Sequence, residues 1–224
     1  RMAAPVSDCG TKRSEARRAV PIQEMLASGD WLLPHLNGAL YITKPPLFYW
    51  LGAVFAGLLG AASEWAVRLP SALAALVVLW ATYCTALRLF GRWSGLFSVQ
   101  VLLANAGFAT FARRAEIEML LTALCSVSLL AALGYILESL RCACPERSRR
   151  AGSLRLLESR SRRWLWLSYG LLGLALLTKG PVALLFVTLP LLGFALYCRD
   201  SRAWQALRCG KGWLLALAVG LSWY

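Results

Sequence analysis

Two lysines sit where a charge is least expected. Lys44 stands in Thr43-Lys44-Pro45-Pro46, directly ahead of the apolar run LFYWLGAVFAGLLGA, and Lys179 stands in Thr178-Lys179-Gly180-Pro181 between two apolar runs. A further group, Arg113, Arg114, Glu116 and Glu118, opens another apolar segment, and Glu15 lies near the start of the chain. Lys and Arg neutralise phosphate through charge-assisted hydrogen bonds, whereas a carboxylate beside them can act as a general base or hold a cation. The set therefore suits an anion bound at a membrane surface, with an acid close by. Any single one of these Lys residues fits equally well as an ordinary interfacial anchor.

The elements that must position these groups are membrane helices. Hydrophobic residues make up 58% of the 224 residues and the mean hydropathy is +0.57, above the roughly 45–50% apolar usage of soluble domains. Ten Trp suit many membrane–water boundaries. The formal net charge is +13, but its placement argues against nucleic acid. Eight of the 24 Lys and Arg fall between Arg141 and Arg163, and Arg199, Arg202, Arg208 and Lys211 follow a later apolar run. Basic loops between spans are what the positive-inside rule expects. The seven Cys are odd in number, and Cys142 and Cys144 form CxC rather than the paired CxxC of a zinc site.

Residues 1–16 read as polar and irregular, without a signal-peptide pattern. The first residue is Arg and the last residues stop inside an apolar run, so both ends read as cut from something larger. Residues 17–28 suggest a short surface helix interrupted by Pro21 and ended by Gly29. The apolar run 47–61 is short for a span of roughly 20 residues, so an interfacial helix is expected. Six spans then follow, at 68–90, 93–112, 117–140, 164–177, 181–198 and 212–224, with Pro70 in the first turn of the first and the last one truncated. This divides the chain into a first outer loop, 1–67, and a helix bundle, 68–224. Loops 88–92, 141–163 and 199–211 are net basic and fall on one side only if 47–61 stays at the surface. They are assigned to the cytoplasm, which puts Glu15, Lys44, the 113–118 group and Lys179 on the outer face.

GDWLLPHLNGALYITKPPLFYW, EWAVRLPSALAAL, RRAEIEMLLT and LGLALLTKGPVALL together resemble the aminoarabinose lipid A transferases, relatives of the dolichyl-phosphate-mannose protein mannosyltransferases. The resemblance runs from about Glu15 to Tyr224 in the family's order and spacing. It implies an all-α type C glycosyltransferase, a multi-span bundle with a juxtamembrane-helix loop in the periplasm and the active site on the outer face of a bacterial inner membrane. It further implies transfer of a sugar from a polyprenyl-phosphate carrier to a lipid A-like, glycolipid or protein acceptor, lipid A modification and protein mannosylation being the family's activities. Lys44 then corresponds to a residue that binds the carrier phosphate, with Lys179 and Arg113 as further phosphate-binding cations, while Glu118 falls where the family usually has Asp. The family's outer loop usually begins Asp-Glu and continues Arg-Tyr-Ala, whereas here Ser14-Glu15-Ala16-Arg17-Arg18-Ala19 replaces Asp by Ser14 and Tyr by Arg18. Ser is a poor base without a partner. Either Glu15 or Glu118 serves as the catalytic acid–base residue, or transfer is impaired.

No cofactor is specified by the sequence beyond the capacity of a carboxylate to hold a divalent metal. His35, the single His, reads as a polar loop residue, and Asp30 as a turn or cap. Two competing readings remain: a non-catalytic membrane protein or transporter that binds a lipid phosphate through the same Lys residues, and a multi-span protein with interfacial Lys anchors and no ligand.

Overall fold

The computed structural model describes residues 10–41, 44–60, 63–142, 151–199 and 201–223, with the backbone alone for 10–16, 140–142 and 151–160. It is helical apart from one two-residue hairpin, and it divides into two compact units, Arg1–Leu120 and Leu121–Tyr224.

The first unit opens with helix α1 (Gly10–Ser28). This is longer than the sequence suggests. The helix begins at Gly10 within the segment read as irregular, and it runs through Pro21 instead of breaking there. Pro21 removes one backbone donor, but its ring is fully buried beside Ile22 and Met25, and that packing holds the turn together. Gly29 ends the helix with φ 72° and donates its N–H to the Met25 carbonyl at 3.0 Å, the left-handed stop that glycine allows.

A hairpin follows, β1 (His35–Leu36) paired antiparallel with β2 (Ala39–Leu40). Asn37 and Gly38 both have positive φ, 54° and 76°, as a two-residue type I′ turn requires. The Asn-Gly pair is a strong hairpin signal that an extended reading of this loop overlooks. Asp30 caps as expected, its Oδ1 accepting from the N–H groups of Leu32 at 3.0 Å and Leu33 at 3.3 Å. Helix α2 (Leu47–Leu58) then packs between α1 and α3 (Glu64–Phe90). A Cβ on Gly52 of α2 would run into the Ile22 side chain, so glycine sets how closely α1 and α2 approach.

α3 starts earlier than expected. Ser63 caps it by accepting from the Ala66 N–H at 3.3 Å, which leaves Pro70 inside the helix instead of in its first turn. The span expected at 93–112 is broken into α4 (Arg92–Ala104) and α5 (Ala106–Arg113), bent by 73°. Asn105 makes the break. Its backbone is extended, and its side chain accepts from the Phe108 N–H at 3.0 Å, starting α5 in a new direction.

Helix α6 (Ile117–Cys142) crosses the division between the units, and the second unit continues with α7 (Ala151–Lys179), α8 (Val182–Cys198), α9 (Ser201–Arg208) and α10 (Gly210–Gly220). Two expectations are corrected here. The basic stretch 141–163 is not loop throughout, because α7 already begins at Ala151, and the basic stretch 199–211 contains the helix α9. In α9 the buried Ala203 and Ala206 lie one turn apart, and Arg208 stacks over the Trp204 ring at 5.5 Å.

Among the described residues, α3 and residues Ile117–Ser139 of α6 are long and apolar enough to cross a membrane, and the bent α4–α5 pair makes three if it counts as one span. α8 and α10 are shorter apolar helices, so among the described residues length and composition alone mark fewer than six spans. The fold class is the one expected: all-α, with several membrane-length helices.

α7 and α10 pack closely in the second unit. Gly212, Ala216 and Gly220 repeat every four residues on α10 and present a flat face. A Cβ on Gly212 would meet the Tyr169 ring, and one on Gly220 would meet Leu176. Tyr169 is itself fixed, donating its hydroxyl to the Ala206 carbonyl and lying edge-on to Trp213. We expect Gly212→Val to cost about 1–3 kcal/mol through overpacking. Gly170→Ala on α7, where a Cβ meets nothing within 4 Å, should leave the melting temperature in detergent unchanged or slightly raised.

Candidate functional site

Four elements of the first unit converge on one guanidinium. Arg18 lies on the face of α1 that carries Ile22 and Met25, at i, i+4 and i+7, and its side chain is only 10% exposed. A charge on a buried helix face must find partners. Arg18 finds three: the Glu116 carboxylate at 2.5 Å and the Ala115 carbonyl at 2.5 Å in the turn between α5 and α6, and the Glu118 carboxylate at 3.7 Å in the first turn of α6. The turn is also held from α3. The buried Ser71 hydroxyl donates to the Glu116 carbonyl at 3.1 Å and accepts from the Glu116 N–H at 3.0 Å. Glu116 is thus fixed by its side chain from α1 and by its backbone from α3.

Tyr49 of α2 completes the cluster. Its ring is fully buried, edge-on to Tyr41 and Phe48 at 6.3 and 6.2 Å between centroids. Burial pushes its phenol well above the usual tyrosine value, with a smaller push from Tyr41, while the nearby Arg18 charge pulls the other way. Tyr49 therefore keeps its proton at physiological pH.

Lys44 precedes α2 by three residues. It is half-buried, while Pro45 and Pro46 after it are buried and lock the entry to the helix. The loop before it is pinned at several points: the Trp50 indole donates to the Trp31 carbonyl at 2.6 Å, the Gly38 N–H donates to Glu24 at 3.4 Å and the Tyr41 N–H donates to the Pro34 carbonyl at 2.8 Å. Lys44 is followed directly by these two buried prolines.

The other residues singled out by sequence fall as follows. Glu118 stands in the first turn of α6, one-third exposed, and belongs to the Arg18 cluster. Arg113 ends α5 and is exposed. Glu15 lies on α1, one turn before Arg18, but its side chain and that of Ser14 lie outside the described residues, as does Thr43. Lys179 belongs to the second unit, half-buried in the last turn of α7, where Gly180 stops the helix with φ 74°. Lys-Gly-Pro is itself a helix stop, and a cation there suits the helix dipole. His35 is half-buried in β1, and among the described residues no three His, Cys, Asp or Glu side chains gather as metal ligands.

Sequence reasoning missed Arg18, Ser71 and Tyr49 as members of this cluster. Arg18 was detectable, because it continues the stripe of Ile22 and Met25 and a charge there calls for a carboxylate. Nothing local marks Ser71 or Tyr49, whose partners are distant in sequence.

A family model described as dolichyl-phosphate-mannose-protein mannosyltransferase matches residues 43–139, which include Lys44, Ser71, Glu116 and Glu118. An undecaprenyl phosphate-alpha-4-amino-4-deoxy-L-arabinose arabinosyl transferase of Sodalis glossinidius is 32% identical over 93% of this chain, and one from Pseudomonas aeruginosa is 33% identical over 93%. The crystal structure of ArnT from Cupriavidus metallidurans in the apo state superposes over 93% of the chain with a TM-score of 0.77 at 29% identity. These matches support membership of the family of aminoarabinose transferases and protein mannosyltransferases. A second ArnT structure, bound to undecaprenyl phosphate, matches with a TM-score of 0.76. The chain spans about a third of the length of these relatives: 34% and 35% of the two transferases and 36% of ArnT. The resemblance carried by the four sequence motifs thus holds for fold and family.

Proposed function

We propose that this chain carries the donor-phosphate half of a glycosyltransferase that moves a sugar from a polyprenyl-phosphate carrier to a lipid A-like, glycolipid or protein acceptor. The observation that carries the reading is the superposition over 93% of the chain on an ArnT structure bound to undecaprenyl phosphate. Lys44 binds the carrier phosphate, with Arg113 as a further cation of the first unit; Lys179, in the second unit, is a phosphate-binding candidate in its own right. As the carrier phosphate leaves, it gains charge that fixed cations stabilise. Glu118, with Glu15 as the other candidate, supplies the general base for the acceptor hydroxyl. The protein lies in a bacterial inner membrane, with 1–67 as an outer loop, 68–224 as the bundle and the site on the periplasmic face.

A second reading is favoured by Ser14: a membrane protein that binds the carrier lipid and transfers nothing. Both readings expect polyprenyl phosphate in lipid extracts of the purified protein, and its absence there would exclude both. They part on Ser14→Asp. If the protein is a transferase weakened at this position, the change raises transfer from a polyprenyl-phosphate-linked sugar by about a hundredfold, the scale of general base catalysis. No gain, with the lipid still bound, favours the non-catalytic reading.

A further inference from the structure

Arg18 stands where the family motif has Tyr, and it is the best-buried cation among the described residues of the first unit. One guanidinium reaches Glu116 at 2.5 Å, Glu118 at 3.7 Å and the Ala115 carbonyl at 2.5 Å. Its planar fork can serve several acceptors at once, which a Lys ammonium on the same stem does less well. Glu116 takes the short contact and is the more buried carboxylate, with 12% of its side chain exposed against 33% for Glu118. The two acids therefore have different parts. Glu116, held through its backbone by Ser71, anchors the guanidinium. Glu118, in the first turn of α6 and one-third exposed, with its Oε2 buried toward the guanidinium, is the one the anchored charge can steer.

We propose that Arg18 is a positioning residue that, anchored on Glu116, holds the Glu118 carboxylate in place at the head of α6. This rests on the reading of Glu118 as an acid of the transfer site. Tyr49 supports the geometry without sharing the charge, since it stays protonated beside Arg18. Arg18 also ties α1 to the α5–α6 turn, so the helix that carries Glu15 and the head of α6 that carries Glu118 are held in one register.

The test follows Glu118 directly, by carbodiimide coupling of its carboxyl in detergent-solubilised protein, quantified by peptide mass spectrometry. Three variants are compared with the unaltered chain: Arg18→Met, Arg18→Lys, and Arg18→Met combined with Glu116→Leu. The double variant replaces the buried pair by apolar side chains and so is expected to fold. Coupling at Glu118 should rise about fivefold in Arg18→Met and equally in the double variant, the scale of a partly exposed ion pair. Arg18→Lys should fall between, because it keeps the charge but not the fork. A double variant or Arg18→Lys that couples at the unaltered rate would overturn the proposal, leaving Arg18 as a neutraliser of Glu116 only. In a transfer assay, Arg18→Lys should lower kcat about tenfold with the donor KM within about twofold. Unchanged kcat would also overturn it. Failure of the unaltered chain to transfer sugar would count against the proposed function alone, since the coupling measurement needs no substrate.

Discussion

Glu116→Leu lowers the stability of the first unit by about 3 kcal/mol, because it leaves the Arg18 guanidinium buried without its closest partner. Breaking a buried pair typically costs about 3–5 kcal/mol, and the lower end applies here. Arg18 keeps the Ala115 carbonyl and can draw Glu118 in from 3.7 Å. Glu116→Gln should cost less, about 1–2 kcal/mol, since the amide oxygen still accepts from the guanidinium while the Ser71 contacts to the backbone survive. Thermal or denaturant unfolding in detergent reads both. Equal, near-zero effects from the two substitutions would mean that the Arg18 cluster contributes nothing to the fold.

The second large effect is on ligand binding. Lys44→Ala removes a half-buried ammonium from a turn locked by Pro45 and Pro46. A hydrogen bond between charged partners is worth about 1.5–3 kcal/mol, which corresponds to a loss of roughly 10- to 100-fold in affinity for a polyprenyl phosphate. Lys44→Arg keeps the charge but changes its shape and reach, so a smaller loss is expected. Neither change touches the packing of Phe48 and Tyr49, and the melting temperature should stay near that of the unaltered protein. A large fall in melting temperature on Lys44→Ala would assign this Lys to the fold instead of to a ligand.

Much of this protein is legible from its sequence, and the parts that are not share a cause. The Gly29 helix stop and the Asp30 turn are local signals, and each appears where expected. The breaks are also local but weaker. Asn105 turns one apolar run into two helices because its side chain competes for the backbone, and Ser63 moves the start of α3 ahead of Pro70. Pro21 is the opposite case: tertiary packing keeps a helix continuous where propensity alone would end it. Lys44 and Glu118 could be picked out by motif, but the cluster around Glu118 could not. Arg18 and Glu116 lie 98 positions apart in the chain and Ser71 reaches Glu116 across 45, so only the folded chain brings them together.

The position of Ser14 gives the account its sharpest contrast. The buried Arg18–Glu116 pair is formed, whereas Ser14 stands where the resemblance places an Asp. Binding of the carrier phosphate is thus the more basic claim, since both the transferase and the non-catalytic reading depend on it. The measurement that bears on it most directly is a titration of the purified protein in lipid nanodiscs with undecaprenyl phosphate, beside undecaprenol as the same chain without the phosphate. The account predicts that the phosphate form binds and the alcohol does not compete, and that Lys44→Ala weakens binding by about 10- to 100-fold. Equal binding of the two lipids, or unchanged affinity in Lys44→Ala, would contradict it.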